Sequence, residues 1–153
     1  MSASSHPIVL RIEGHDLPGT SCGPAPNRPQ GHHGIHVAVQ RRAKPAELLG
    51  LTPGNATEAV WSLECTVTGT DVRGPYVQGP PGRRFVYLSW GMVEGPGTFT
   101  MFRRAKIRLD QIPPAMLKRA VTTGSLVARV GLTDSKGNPT CAAFKMSEVE
   151  WTA

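Results

Sequence analysis

The stretch VWSLECTV (Val60–Val67) alternates without a break. Trp61, Leu63, Cys65 and Val67 fall on one side, and Ser62, Glu64 and Thr66 on the other. Side chains along a strand repeat every second residue, so this pattern is a strand with one dry face and one wet face. The pattern recurs in PIVLRIEG (Pro7–Gly14), where Ile8, Leu10 and Ile12 share a face. It recurs again in IHVAVQ (Ile35–Gln40), where Ile35, Val37 and Val39 do. Strands with one apolar face need a second layer to bury it.

The segment RFVYLSWG (Arg84–Gly91) behaves differently. Phe85 and Tyr87 lie on one face, and Val86, Leu88 and Trp90 on the other. A strand apolar on both sides is central, or lines a cavity on one side. After a Gly-Pro-Gly turn comes FTMFRRAKIRLDQI (Phe99–Ile112). The convincing helix is PPAMLKRAVTTG (Pro113–Gly124), with Pro near its start, an apolar stripe of Met116, Leu117, Ala120 and Val121, and Gly at its stop. AELLG (Ala46–Gly50) reads as one helical turn. SLVARVGL, CAAFKM and VEWTA read as further strands, with TDSKGNPT as a turn. The sum is roughly seven or eight strands and one helix. The expected fold is mainly β (α+β): an antiparallel β-sandwich or small barrel, with one helix packed near residues 113–124. Connections too short for helical crossovers make the sheets mainly antiparallel.

Residues 1–153 fit one domain, with a long Gly/Pro-rich loop at about 17–34. The chain has 17 glycines and 14 prolines and is 39% hydrophobic, which favours short strands and turns and is not low enough for disorder. Its net charge of +6 draws polyanions: nucleic acid, an anionic membrane, or phosphorylated or carboxylated small molecules. The arginines come in pairs, Arg41-Arg42, Arg83-Arg84 and Arg103-Arg104. Cys22, Cys65 and Cys141 have no disulfide or zinc spacing and read as reduced thiols. No signal peptide and no membrane-length apolar run is evident, so a cytoplasmic location without a membrane partner is expected.

In MFRRAKIRLD, Met101, Arg103, Ala105, Ile107 and Leu109 share one face, and Phe102, Arg104, Lys106 and Arg108 the other. The second set is a basic stripe ending in an aromatic ring, suited to phosphates through the fork of Arg. Arg103 among apolar neighbours needs a partner: Glu64, Glu94 or Asp110, or an anionic ligand. A bulge there would turn it outward instead. The expected ligand site groups Arg103, Arg104, Tyr87 and Trp90 with the histidine loop.

His32, His33 and His36 lie close together, but they match no strong metal spacing. No metal and no cofactor is expected; if a metal bound, these three would hold it. His15 with Asp16, Cys22 and His36 are the candidates for catalysis, with Cys22 as nucleophile and His15 as base. No recognised motif frames them.

The segments RIEGHDLPGTSCGP, IHVAVQRR, GPYVQG, RFVYLSWG, FRRAKIRLDQIP and GLTDSKGNPTCA, in this order, resemble a family of small uncharacterised actinobacterial proteins classed as a domain of unknown function. The resemblance spans nearly the whole chain. It implies a single intracellular domain and brings no activity, cofactor or site residue with it. The function read from the residues is a small binding domain for an anionic or aromatic small molecule. The alternatives are a nucleic-acid binder using the paired arginines, and a small hydrolase- or cyclase-type enzyme. Oligomeric state is left open.

Overall fold

A computed structural model describes residues 4–19, 34–41, 47–95, 98–133 and 144–153. In chain order the strands are β1 (Ser5–His15), β2 (His36–Arg41), β3 (Glu47–Leu49), β4 (Ala59–Thr68), β5 (Asp71–Arg73), β6 (Phe85–Gly95), β7 (Thr98–Arg108), β8 (Ser125–Thr133), β9 (Lys145–Met146) and β10 (Glu150–Thr152). The helix α1 (Pro114–Thr123) precedes β8. Two curled sheets result. The first runs β10-β8-β1-β4-β5, with β9 also on β8; the second runs β3-β2-β6-β7.

Alternation sets the layers. In the first sheet, Ile8 lies across from Cys65, Leu10 from Leu63, and Ile12 from Trp61. On the other side of β1, Leu10 faces Leu126 and Ile12 faces Ala128. All of these are buried, and they meet Val37, Val39, Val86, Leu88, Trp90 and Ile107 of the second sheet in one core. The wet face of the first sheet leaves Val9 and Val60 exposed. Helix α1 buries Leu117 and Ala120, starts with Pro114 and stops at Gly124, whose left-handed φ of 79° suits a residue without Cβ.

Three features depart from the sequence reading. The pairing of β1 with β8 is parallel, from Val9↔Ser125 to His15↔Gly131. The short-connection argument does not reach this pair, because most of the chain lies between the two strands. Glu47–Leu49 pairs with β2 as a short edge strand and is not a helical turn. Third, the register between β6 and β7 slips: Trp90 pairs with Arg103, but Gly91 pairs with Met101. Phe102 is the extra residue of a bulge. Met101 therefore moves to the face opposite Ala105 and Ile107, and is 38% exposed. The long loop expected at 17–34 lies mostly outside the described residues.

Candidate functional site

Residues directly opposite across a sheet point to the same side. Gln40 pairs with Tyr87 and Ala38 with Ser89. Tyr87 pairs with Lys106, Ser89 with Arg104, and Phe85 with Arg108. The face of the second sheet turned away from the core therefore carries Gln40, Phe85, Tyr87, Ser89, Arg104, Lys106 and Arg108.

On this face the cations lean diagonally onto the rings. The Arg104 guanidinium lies 4.4 Å from the centre of the Tyr87 ring, and Lys106 Nζ lies 4.4 Å from that of Phe85. The two rings meet edge to face, with centroids 4.7 Å apart. Tyr87 is only 7% exposed and Ser89 fully buried. Ser89 Oγ donates a long bond of 3.4 Å to Ala38 O. Gln40 is 8% exposed, and its Oε1 is buried without a hydrogen-bond partner among the described residues. A buried acceptor left unpaired carries its full desolvation cost.

Five of the other arginines are occupied, among them Arg11 on Glu13. Arg84 forks onto Asp71, which also accepts from Arg73 Nε. The hydrogen bond from Arg84 holds the Asp71 carboxyl below the usual range, despite partial burial. Arg108 grips Asp110 at 2.7 Å and lowers its carboxyl likewise. Arg41 is divided between Glu47 and Pro75 O. Among the described residues, Arg103, Arg104 and Lys106 have no carboxylate partner. Of the arginine pairs, only Arg103-Arg104 thus leaves both members unneutralised.

The structure brings Tyr87 and Arg104 together and sets Trp90 apart. Trp90 faces the core, is 1% exposed, and has a buried Nε1 without a partner among the described residues. Arg103 stands beside Trp90 in register at the sheet's rim and is exposed. In register Arg103 keeps the side of Ala105 and Ile107, so the bulge at Phe102 turns Met101 and not Arg103; neither Glu64 nor Asp110 pairs with Arg103. His15 Nδ1 lies 2.9 Å from Asp16 Oδ2, with Asp16 in the left-handed region at φ 50°. His36 Nδ1 donates to Thr52 O at 2.6 Å, while Thr52 Oγ1 accepts from Val37 N. This clasp holds the residue 52 turn to β2, so one nitrogen of His36 is structural. Cys22, His32 and His33 lie outside the described residues. Among the described residues no group of three His, Cys, Asp or Glu side chains is placed to hold a metal. No helix among them is long and apolar enough to cross a membrane.

Gln40 is the residue that sequence reasoning passes over. In IHVAVQ it sits on the polar side of the alternation and reads as solvated. In the ladder it lies between Leu48 and Tyr87, a pairing the sequence does not announce. Lys106 was legible as part of the basic stripe, but its seat over Phe85 was not.

These features define a two-sheet, β-rich domain with an unneutralised cation–aromatic face. The chain belongs to a family of unknown function, DUF5990, whose model matches residues 8–153. No curated protein and no solved structure matches it.

Proposed function

We propose that the protein is a small binding domain for an anionic small molecule, seated on the outer face of its second sheet. The observation that carries this reading is the pair Arg104 and Lys106, stacked on Tyr87 and Phe85 without carboxylate partners among the described residues. A guanidinium held over a ring makes no hydrogen bond to it through its fork, whose N–H donors can then take a carboxylate or phosphate. Gln40 Oε1, buried beneath, is an acceptor that a ligand N–H or O–H would satisfy once a side chain of the face shifts. The same reading places the protein in the cytoplasm of an actinobacterium, supported by the free buried thiol of Cys65 and the sequence resemblance.

Nucleic acid fits this face less well. Base stacking needs an open ring, and here a cation covers a face of each. The His15–Asp16 contact resembles an oriented base, but no nucleophile lies against it among the described residues.

Native mass spectrometry of the untagged protein, beside its denatured spectrum, tests the proposal. A mass excess lost on denaturation, and absent in Arg104→Ala and Gln40→Leu, is expected. Calorimetric titration with inorganic phosphate, citrate and an aromatic carboxylate should show at least one ligand weakened about tenfold by Arg104→Ala. A bare native mass together with no heat for any of the three overturns the reading.

A further inference from the structure

The sheets end unequally. β3, β5 and β10 are edges of three residues each, and β9 has two, whereas β7 is an edge of eleven. Short edges offer few backbone groups to a foreign strand, but a long edge is a template. Among the described residues no strand pairs with the outer side of β7. Arg103, Arg104 and Lys106 are exposed along it without a carboxylate partner among the described residues, Arg108 is exposed but paired with Asp110, and β7 itself carries no acidic residue.

We propose that the edge of β7 from Arg103 to Arg108, which no strand among the described residues covers, docks an acidic, extended segment of another protein as the fifth strand of the second sheet. Like charges facing each other across a ladder are destabilising, so the basic edge rejects a second copy of itself. The same charges select an acidic strand, with backbone pairing supplying the affinity. Beyond the bulge, Arg104, Lys106 and Arg108 line one face, and Ala105 and Ile107 the other. The matching segment therefore alternates acidic and apolar residues. A groove of about 400 Å³ lies beside the end of the strand, lined by Lys106, Arg108, Met146, Val149 and Trp151 together with the acidic Glu148, so it suits an apolar or basic flanking side chain of the segment and not an acidic one. This surface shares Arg104 and Lys106 with the small-anion site, but it rests on the backbone edge, which that site does not use.

The test is fluorescence anisotropy of the full chain with a labelled, blocked octapeptide alternating glutamate and valine. Two companion peptides carry N-methyl groups on alternate backbone nitrogens, one series on each edge. The parent peptide should bind. One methylated series should bind as the parent does and the other about tenfold or more weakly, because only one edge donates to β7. Arg103→Glu should weaken the parent peptide, and Gln40→Leu should leave it unchanged. Failure of the parent to bind, or equal affinity of the two methylated peptides, overturns the proposal. Loss of binding in Gln40→Leu would place the peptide on the small-anion site and overturn the edge as its seat. Tighter binding of a labelled oligothymidylate would make the edge a nucleic-acid surface instead.

Discussion

Arg104 lies across the sheet from Ser89, yet its guanidinium rests on Tyr87, two residues along. The serine side chain is too small to cover, and the twist of the ladder carries the arginine to the diagonal ring. Lys106 repeats the move, lying across from Tyr87 and resting on Phe85. The contact should be measurable as a coupling. In a double-mutant cycle of Arg104→Ala and Tyr87→Leu, followed by urea denaturation, an interaction of about 0.5–1 kcal/mol is expected. Strict additivity would show the stacking to be energetically idle.

The bulge in β7 depends on Gly91. A Cβ there would meet Thr100 O at 2.0 Å and Met101 Cα at 2.9 Å, both of them backbone atoms that cannot swing away. Gly91→Ala is expected to destabilise by roughly 1–3 kcal/mol, seen as a lowered Tm. An unchanged melting temperature would mean that the two strands separate freely at this point.

Two buried tryptophans differ in one bond. Trp61 Nε1 donates to Gly50 O at 2.9 Å, while Trp90 Nε1 has no partner among the described residues. Both lose volume when changed to Phe, but only Trp61→Phe also breaks a hydrogen bond. Trp61→Phe should therefore cost about 1 kcal/mol more than Trp90→Phe in denaturant titrations. The reverse order would show that packing around Trp90 dominates.

Asp71 ties stability to acid. Its folded-state pKa is lowered, first by the hydrogen bond from Arg84, so its contribution is present above the unfolded carboxyl value of about 3.9. That contribution is lost as the pH falls toward the folded value. Asp71→Asn should be less stable than the wild type at neutral pH, and the gap should close on acidification. A gap independent of pH would remove Asp71 from the acid limb.

Burial pushes the Cys65 thiol up to about 11. The thiolate is the reactive form, so Cys65 should resist alkylation at pH 8 in the folded protein. Mass-spectrometric mapping after iodoacetamide treatment should find Cys65 modified only when denaturant is present. Labelling under native conditions would show that the first sheet opens readily.

Much of the fold is legible because burial on one face writes itself into alternate residues. VWSLECTV and PIVLRIEG point their apolar positions inward, as the core contacts of Trp61, Leu63, Ile8 and Leu10 show. The Pro113–Gly124 segment reads correctly since proline and glycine act locally. RFVYLSWG already separates Tyr87 from Trp90 by parity, so their placement on opposite faces follows from the pattern. What escapes depends on partners. Glu47–Leu49 becomes a strand only because β2 offers it an edge, and the parallel pairing of β1 with β8 has no local signature. The slip at Phe102 breaks parity within one strand, which moves Met101 without any change in composition. At the site, the basic stripe is visible in sequence, while the burial of Gln40 and the seats of the cations are set by neighbouring strands.

The parallel β1–β8 pair also sets a schedule. As the chain leaves the ribosome, β1 can pair with β4, and the second sheet can form as soon as Arg108 is made. Val9 must still wait for Ser125, so β1 keeps one side unpaired beside a half-covered core. At ordinary synthesis speed the delay between Arg108 and Ser125 is about a second. During that interval Ile8, Leu10 and Ile12 are within reach of chaperones, and of other nascent chains. Helix α1, made within the same interval and joined to β8 through Gly124, brings that strand to its place, with Val9 N donating to Gly124 O at 2.9 Å.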